Sequence, residues 1–93
     1  MSATINLEGV VNIAKVEAIH HEMEEFLKQA LPTTINASDV SRADTAALQL
    51  LASFMKSMAL ADVTVVWAGA SEELKEAASL LGLEQTLKLS SAV

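Results

Sequence analysis

Residues 36–58 read NASDVSRADTAALQLLASFMKSM, and this stretch decides the fold because a polar turn passes here into a long helix. A side-chain oxygen from Asp44 can accept a hydrogen bond from an unpaired N–H at the helix start, which is worth about 1 kcal/mol relative to alanine. From Ala46 onward the chain is rich in strong helix formers and holds neither Gly nor Pro before Gly69. The pattern therefore predicts a helix that begins at Asp44, with Thr45 at its mouth.

The same helix is predicted to have two different faces, since successive residues turn by about 100°. The apolar face, wide enough to cover a sheet, comprises Leu48, Leu51, Phe54, Met55 and Met58, with Leu50 at its edge. The other face comprises Thr45, Gln49, Ser53 and Lys56. Because this outer face is nearly uncharged in an acidic protein, we predict that it is a docking surface; the alternative is an ordinary solvated face.

The composition of the chain disfavours several functions but does not identify one. The 93 residues predict a single domain over residues 1–93, and the net charge of −6 disfavours binding to nucleic acid. The chain has no cysteine, no apolar segment of the roughly 20 residues that a membrane span needs, and no signal-peptide pattern at its start. We therefore expect a cytoplasmic protein that does not insert into membranes.

The segment that precedes the central stretch predicts a strand and a helix. Apolar and polar residues alternate over residues 4–11, which predicts a short strand that ends at Gly9 in a bulge or an exit turn. Residues 15–30 carry one apolar stripe and predict an amphipathic helix, with Asn12 as a candidate cap. Pro32 ends this helix because the residue before a proline is driven out of helical geometry.

Two more strands are predicted around the central helix. Residues 33–37 are β-branched and predict a strand, and residues 38–43 predict the turn after it. The apolar run over residues 63–68 predicts either an interior strand covered on both faces or a strand covered by helices on one side and lightly on the other. Gly69 is predicted to form the turn that follows.

The C-terminal part predicts one helix and one edge strand. Ser71 is a good N-cap for a helix that Gly82 ends, and residues 86–90 alternate as in a final strand. The order β-α-β-α-β-α-β predicts an α/β fold with a largely parallel sheet of about four strands.

No pattern in the sequence predicts catalysis. His20 and Glu24 have the i, i+4 spacing of metal ligands, but no third ligand accompanies them. Neither a glycine-rich phosphate loop nor a nucleophile beside a histidine is present, and Asp44 next to Thr45 is better explained as a cap than as a general base. We expect no enzyme activity, no metal and no cofactor.

The segment DVSRADTAALQLL resembles the signature of STAS domains, in which a strand leads through D-[LV]-S-x-[VA] to D-[ST]-[SAG]-[GA]-L at a helix start. The matching residues are Asp39, Val40, Ser41, Ala43, Asp44, Thr45, Ala46, Ala47 and Leu48. Leu7-x-Gly9 and the LLGL of residues 80–83 extend the similarity over nearly the whole chain. Three features depart from the family pattern: Ala47 replaces a glycine, Asn12 replaces an acid, and an extra N-terminal strand is missing.

The resemblance implies a STAS-like fold and a non-catalytic regulatory role in which Thr45 is the switch residue. In anti-sigma factor antagonists the hydroxyl at this position is phosphorylated by a partner anti-sigma kinase. Phosphorylation and protein binding in signal transduction, in a bacterial antagonist or a chemotaxis-associated protein, are therefore expected. The predicted partner-binding residues are Asp39, Ser41, Asp44, Thr45, Ala46, Gln49, Ser53 and Lys56.

Two alternatives remain beside the antagonist interpretation. In the small STAS subunit of the bacterial lipid-asymmetry ABC transporter, the position of Thr45 faces the ATPase subunit, so an accessory transporter subunit is the first alternative. A small ligand-binding domain or enzyme is the alternative from another class. The identity of the protein partner and association into a homodimer are left open by the sequence.

Overall fold

The computed structural model describes residues 2–89, in which three parallel strands alternate with helices. The strands are β1 (Ala3–Val11), β2 (Thr33–Ala43) and β3 (Val65–Ala70), and β2 lies between the other two. The helices are α1 (Ile13–Lys28), α2 (Thr45–Leu60), α3 (Glu72–Leu80) and α4 (Glu84–Leu87). The predicted α/β fold with a parallel sheet is confirmed, with three strands among the described residues in place of four.

The hydrophobic core lies on one face of this sheet. Because the strands follow one another across the sheet in chain order, right-handed crossovers bring α1 and α2 to the same face, where they pack against each other. Ile5 and Ile35 are buried on this side, whereas Asn6 and Asn36 are exposed on the other. Within residues 2–89, helices therefore cover one face of the sheet and leave the other exposed.

The predicted turn over residues 38–43 is wrong, because β2 continues through it to Ala43. The backbone of this segment pairs with β1, and Val40 is buried although its neighbours are polar and exposed. The strand prediction that ended at Gly9 is also too short, since β1 runs on to Val11. Gly9 has a φ of +65° beside a register shift, where the extra residue is Ser41 of β2, so Gly9 lies at a bulge and not at the exit turn.

The predicted turn at Gly69 is wrong as well. Gly69 lies inside β3, paired with Asn36, and the turn comes two residues later at Ser71. There the Ser71 hydroxyl oxygen accepts a hydrogen bond from the N–H of Leu74 at 3.1 Å, which confirms Ser71 as the cap of α3. β3 is an edge strand with Val66 half exposed, so helices cover it on one side only.

The final edge strand predicted over residues 86–90 is wrong for its described part. Residues 84–87 form α4, Lys88 has a left-handed φ of +60°, and Ser90 lies outside the described residues. Leu87 and Leu89 are both buried, as the alternation suggested. Both side chains reach the core because the left-handed Lys88 follows the end of α4, and not because the segment is a strand. The Trp67 indole N–H donates a buried hydrogen bond to the Leu87 carbonyl oxygen at 2.7 Å, which fastens α4 to the core.

We predict that Trp67→Phe lowers the free energy of unfolding by about 1–3 kcal/mol, because the Leu87 carbonyl loses its buried donor. Urea unfolding followed by far-UV circular dichroism measures this change without relying on the single tryptophan. Leu80→Ala is the control, since this leucine is 88% exposed and should change the stability by less than about 0.5 kcal/mol. Equal stabilities of the two variants would contradict the docking of α4 through Trp67.

Candidate functional site

The start of α2 is fixed by Asp44, as the sequence predicted. Asp44 has an extended backbone, and its Oδ1 accepts a hydrogen bond from the N–H of Ala47 at 2.8 Å. Its own carbonyl oxygen accepts from the N–H of Leu48 at 3.1 Å. Asp44 is therefore the N-cap, and Thr45 is the first helical residue.

The same carboxylate also reaches the start of α1, which the sequence did not predict. Asp44 Oδ2 accepts a hydrogen bond from the N–H of Ile13 at 3.3 Å, and the Asp44 N–H donates to the Val11 carbonyl oxygen at 3.0 Å. Asn12 caps α1 separately, because its Oδ1 accepts from the N–H of Lys15 at 2.9 Å. One acidic side chain thus joins two helix starts at the carboxyl edge of the sheet.

Thr45 lies on the surface at this junction. Its residue is exposed, and its hydroxyl makes no hydrogen bond to any residue in the range 2–89. Asp44 is its immediate neighbour and carries a carboxylate that two backbone N–H groups hold in place. The hydroxyl is therefore open to another macromolecule without rearrangement of the helix.

The remaining residues of the predicted docking surface on α2 are exposed together. Gln49, Ser53 and Lys56 follow Thr45 along the outer side of the helix, while its other side is buried in the core. Ala46 is exposed beside Thr45. We call the outer side formed by Thr45, Gln49, Ser53 and Lys56 the docking face.

Two predicted site residues lie apart from this face. Asp39 is paired in register with Glu8 on the exposed side of the sheet, opposite the helices. Ser41 is exposed at a register shift of β2. Because Val40 pairs with Gly9 and Arg42 pairs with Val10, Ser41 has no paired residue in β1. The structure brings Asp44, Thr45 and the exposed residues of α2 together, but it does not bring Asp39 to them.

Two apolar residues near the helix mouth were missed by the sequence reasoning. Ile13 is 39% exposed, and its N–H donates a hydrogen bond to the Asp44 carboxylate. Val10, next to the last residue of β1, is 51% exposed. The sequence analysis gave neither residue a role, and only the pairing of β1 with β2 brings this end of β1 near Asp44. Val10 alternates with the buried Val11, so it lies on the exposed side of the sheet, whereas Ile13 lies at the start of α1 next to Asp44.

The described residues give no indication of a metal site or a membrane span. His20 Nε2 lies 3.4 Å from Glu24 Oε1, but no third His, Asp or Glu joins them, nor does such a group of three form elsewhere in residues 2–89. Within the same residues, no helix combines the length and the apolar composition that a membrane crossing requires.

A parallel α/β sheet with a hydroxyl residue directly after a capping Asp at the start of α2 is the arrangement of a STAS domain. The family described as "Mlab, STAS domain" matches residues 1–90, so the chain belongs to this family and the resemblance noted in the sequence is confirmed. No curated protein is significantly similar to the chain in sequence.

The fold is also found in a solved structure. A chain described as "Crystal Structure Analysis of Mglu" superimposes with a TM-score of 0.65 at 20% sequence identity. The match covers 76% of this chain but only 18% of that much longer chain. At this level of identity the similarity shows the fold alone.

We predict that Asp44→Ala lowers the free energy of unfolding by about 2 kcal/mol and Ser71→Ala by about 1 kcal/mol, since Asp44 satisfies two helix starts and Ser71 one. Asp44→Ser separates the two roles, because serine can cap α2 but has a single side-chain oxygen. It should therefore recover only part of the loss. Urea unfolding measures all three variants, and an Asp44→Ala loss no larger than that of Ser71→Ala would contradict the double cap.

Proposed function

We propose that this protein is a non-catalytic regulatory STAS module that binds a protein partner through the docking face and is switched by phosphorylation of Thr45. The observation that carries this proposal is the exposed, unbonded Thr45 hydroxyl at the first position of α2. Lys56 is the one charged residue of the docking face, so a partner would desolvate little charge when it binds there.

Electrostatics favours a switch at this position. A phosphate on Thr45 would add about −1.5 to −2 charges. The N-terminus of α2 would stabilise that charge by about 0.3–1 kcal/mol, whereas the adjacent Asp44 carboxylate would repel it. Since Asp44 is held by the N–H groups of Ala47 and Ile13, it cannot turn away without losing these bonds. The fold should survive the modification, and a partner packed on Thr45 should be released.

An accessory subunit of a bacterial lipid-transport ABC transporter ATPase is the second candidate. In this case the ATPase would pack on Thr45 permanently and no phosphorylation would occur. The role of Asn12 supports it: this residue replaces the acid of kinase-regulated antagonists, and here its side chain caps α1. A threonine in place of serine at position 45 supports the same candidate.

A small-molecule site receives less support. A groove of about 230 Å³ lies between α1 and α2, below the roughly 300–1,000 Å³ of pockets for drug-sized ligands. Its polar residues His20, Glu24, Ser53 and Ser57 stand at the rim around apolar side chains. This arrangement lacks the convergent polar groups that an active site needs.

We predict that incubation with ATP and an anti-sigma-type serine/threonine kinase adds one phosphate to the wild-type protein at Thr45. Intact-mass spectrometry and peptide mapping measure the modification. Thr45→Val, which keeps the size of the side chain and removes the hydroxyl, should remain unmodified. A wild-type protein without a mass shift would remove the switch and favour the constitutive transporter subunit.

Binding to the partner tests the surface itself. Thr45→Glu should reduce capture of the partner from a native lysate by about tenfold or more, because it places a charge at the centre of the contact. Thr4→Glu makes the same change on the exposed side of the sheet and should retain capture. If both variants capture the partner as the wild type does, the docking face is not the binding surface.

A further inference from the structure

A second surface lies beside the docking face. Met23 and Leu27 of α1 and Leu50 and Phe54 of α2 line the groove between the two helices, with Ser53 at its rim. Leu27 and Leu50 are only partly buried, so apolar surface remains open at the bottom of the groove. We call this the interhelical groove.

The groove continues into the proposed contact surface. Both helices connect the carboxyl end of one parallel strand with the amino end of the next, so they run in the same direction with their N-termini together. Ser53 belongs to the docking face and to the rim of the groove. A partner seated over Thr45 would therefore meet the groove about two helical turns further along α2, because a turn takes 3.6 residues.

The volume of the groove limits what can occupy it. About 230 Å³ is too small for a typical organic ligand but suits one or two large apolar side chains. Anchoring of a few such side chains in a pocket is the usual way in which a protein interface gains most of its affinity. An apolar anchor from a protein segment is therefore the occupant that fits the size and the lining.

The charged residues around the groove indicate what kind of partner segment carries this apolar side chain. Glu24, whose side chain is 61% exposed, stands at the rim of the groove, and Glu17 is exposed one heptad earlier on the same side of α1. The lysines of this helix are engaged elsewhere: Lys15 Nζ donates to the Glu8 carbonyl oxygen at 2.6 Å, and Lys28 pairs with Glu25. Glu24 is the only charged carboxylate or lysine among the residues that line the groove, and its Oε1 lies 3.4 Å from the neighbouring His20 Nε2 while most of the side chain stays exposed. The lining residues of α2 are uncharged, so the groove favours a basic occupant and disfavours a second copy of a chain with a net charge of −6.

We infer that the interhelical groove receives a large apolar side chain from a basic, amphipathic helical segment of the protein partner. The inference deepens the proposed function, on which it rests for the existence of a partner. The apolar anchor would lie among Leu27, Leu50 and Phe54, and a Lys or Arg one turn away would face Glu24.

A short synthetic helix with Leu at i, i+3 and i+7 and Lys at the remaining positions tests this. Its addition to the isotopically labelled protein should shift the amide resonances of Leu27, Leu50 and Ser53. A scrambled peptide of the same composition, and a peptide with Glu in place of Lys, should bind at least about fivefold more weakly. Equal binding of the scrambled peptide, or shifts confined to other parts of the chain, would overturn the inference.

Two pairs of variants complete the test. Glu24→Lys should weaken the peptide about fivefold and Glu22→Lys, an equal charge change on an exposed position away from the groove, by less than about twofold. Ser53→Trp should block the groove and weaken binding about tenfold or more, whereas Ala18→Trp on the far side of α1 should not. Far-UV circular dichroism and urea unfolding verify the fold of each variant. Glu24→Lys and Glu22→Lys variants that bind equally would contradict the basic occupant.

The Thr45→Glu variant separates the two proposals. It should bind the peptide within about twofold of the wild type, because Thr45 does not line the groove. If the peptide ignores the groove while Thr45→Glu still loses the partner, the inference about the groove fails and the proposed function stands. If the peptide binds in the groove while Thr45→Glu keeps the partner, the proposed function fails and the groove remains a binding site.

Discussion

The candidate site depends on the hydrogen bonds of a single carboxylate. Asp44 accepts from Ala47 at the start of α2 and from Ile13 at the start of α1, and its N–H is bonded to Val11 in β1. These bonds satisfy N–H groups that would otherwise lack partners, and they fix the two helix starts relative to each other. Thr45 therefore has a defined position on the surface although its hydroxyl makes no hydrogen bond to any residue in the range 2–89.

The connection order of the sheet explains why the candidate features lie on the helical side. Parallel sheets are usually covered on both faces, but two successive right-handed crossovers in one direction leave the second face of this sheet without a helix from the part of the chain that the structure describes. The exposed face carries Thr4, Asn6 and Glu8 from β1, and its cross-strand pair of Glu8 with Asp39 places two acids side by side. Such a polar face can remain in water, and the candidate site is formed by the helices and the carboxyl edge of the sheet.

The sequence predicted those parts that local chemistry determines. The caps at Asp44 and Ser71 depend on residues within one helical turn, and both are present. The two faces of α2 depend on the periodicity of that helix alone, and they are present as well. The two strand segments that the sequence analysis predicted as turns are extended because of hydrogen bonds to neighbouring strands. The polar segment after Ala37 is extended because β1 supplies its hydrogen bonds, and Gly69 stays in β3 because it pairs with β2.

Local patterns and contacts between distant residues also explain what was and was not predicted at the candidate site and at the C-terminal end of the described chain. The bond from Asp44 to Ile13 joins residues 31 positions apart, which no local pattern contains. The burial of Leu87 and Leu89 was predictable from their hydrophobicity, but the left-handed Lys88 between them was not. The single-domain organisation over residues 1–93 remains a prediction.

Two departures from the family motif have structural roles near the candidate site. Ala47, which replaces the glycine of the motif, is completely buried, so its methyl group adds to the core and leaves the surface unchanged. Asn12 uses its side-chain oxygen to cap α1 and contributes no negative charge near Thr45. The exposed surface around the start of α2 therefore consists of Thr45, the partly exposed side chain of Ile13 and the nearly uncharged outer side of α2, so a partner of the proposed kind would need little charge where it meets the hydroxyl.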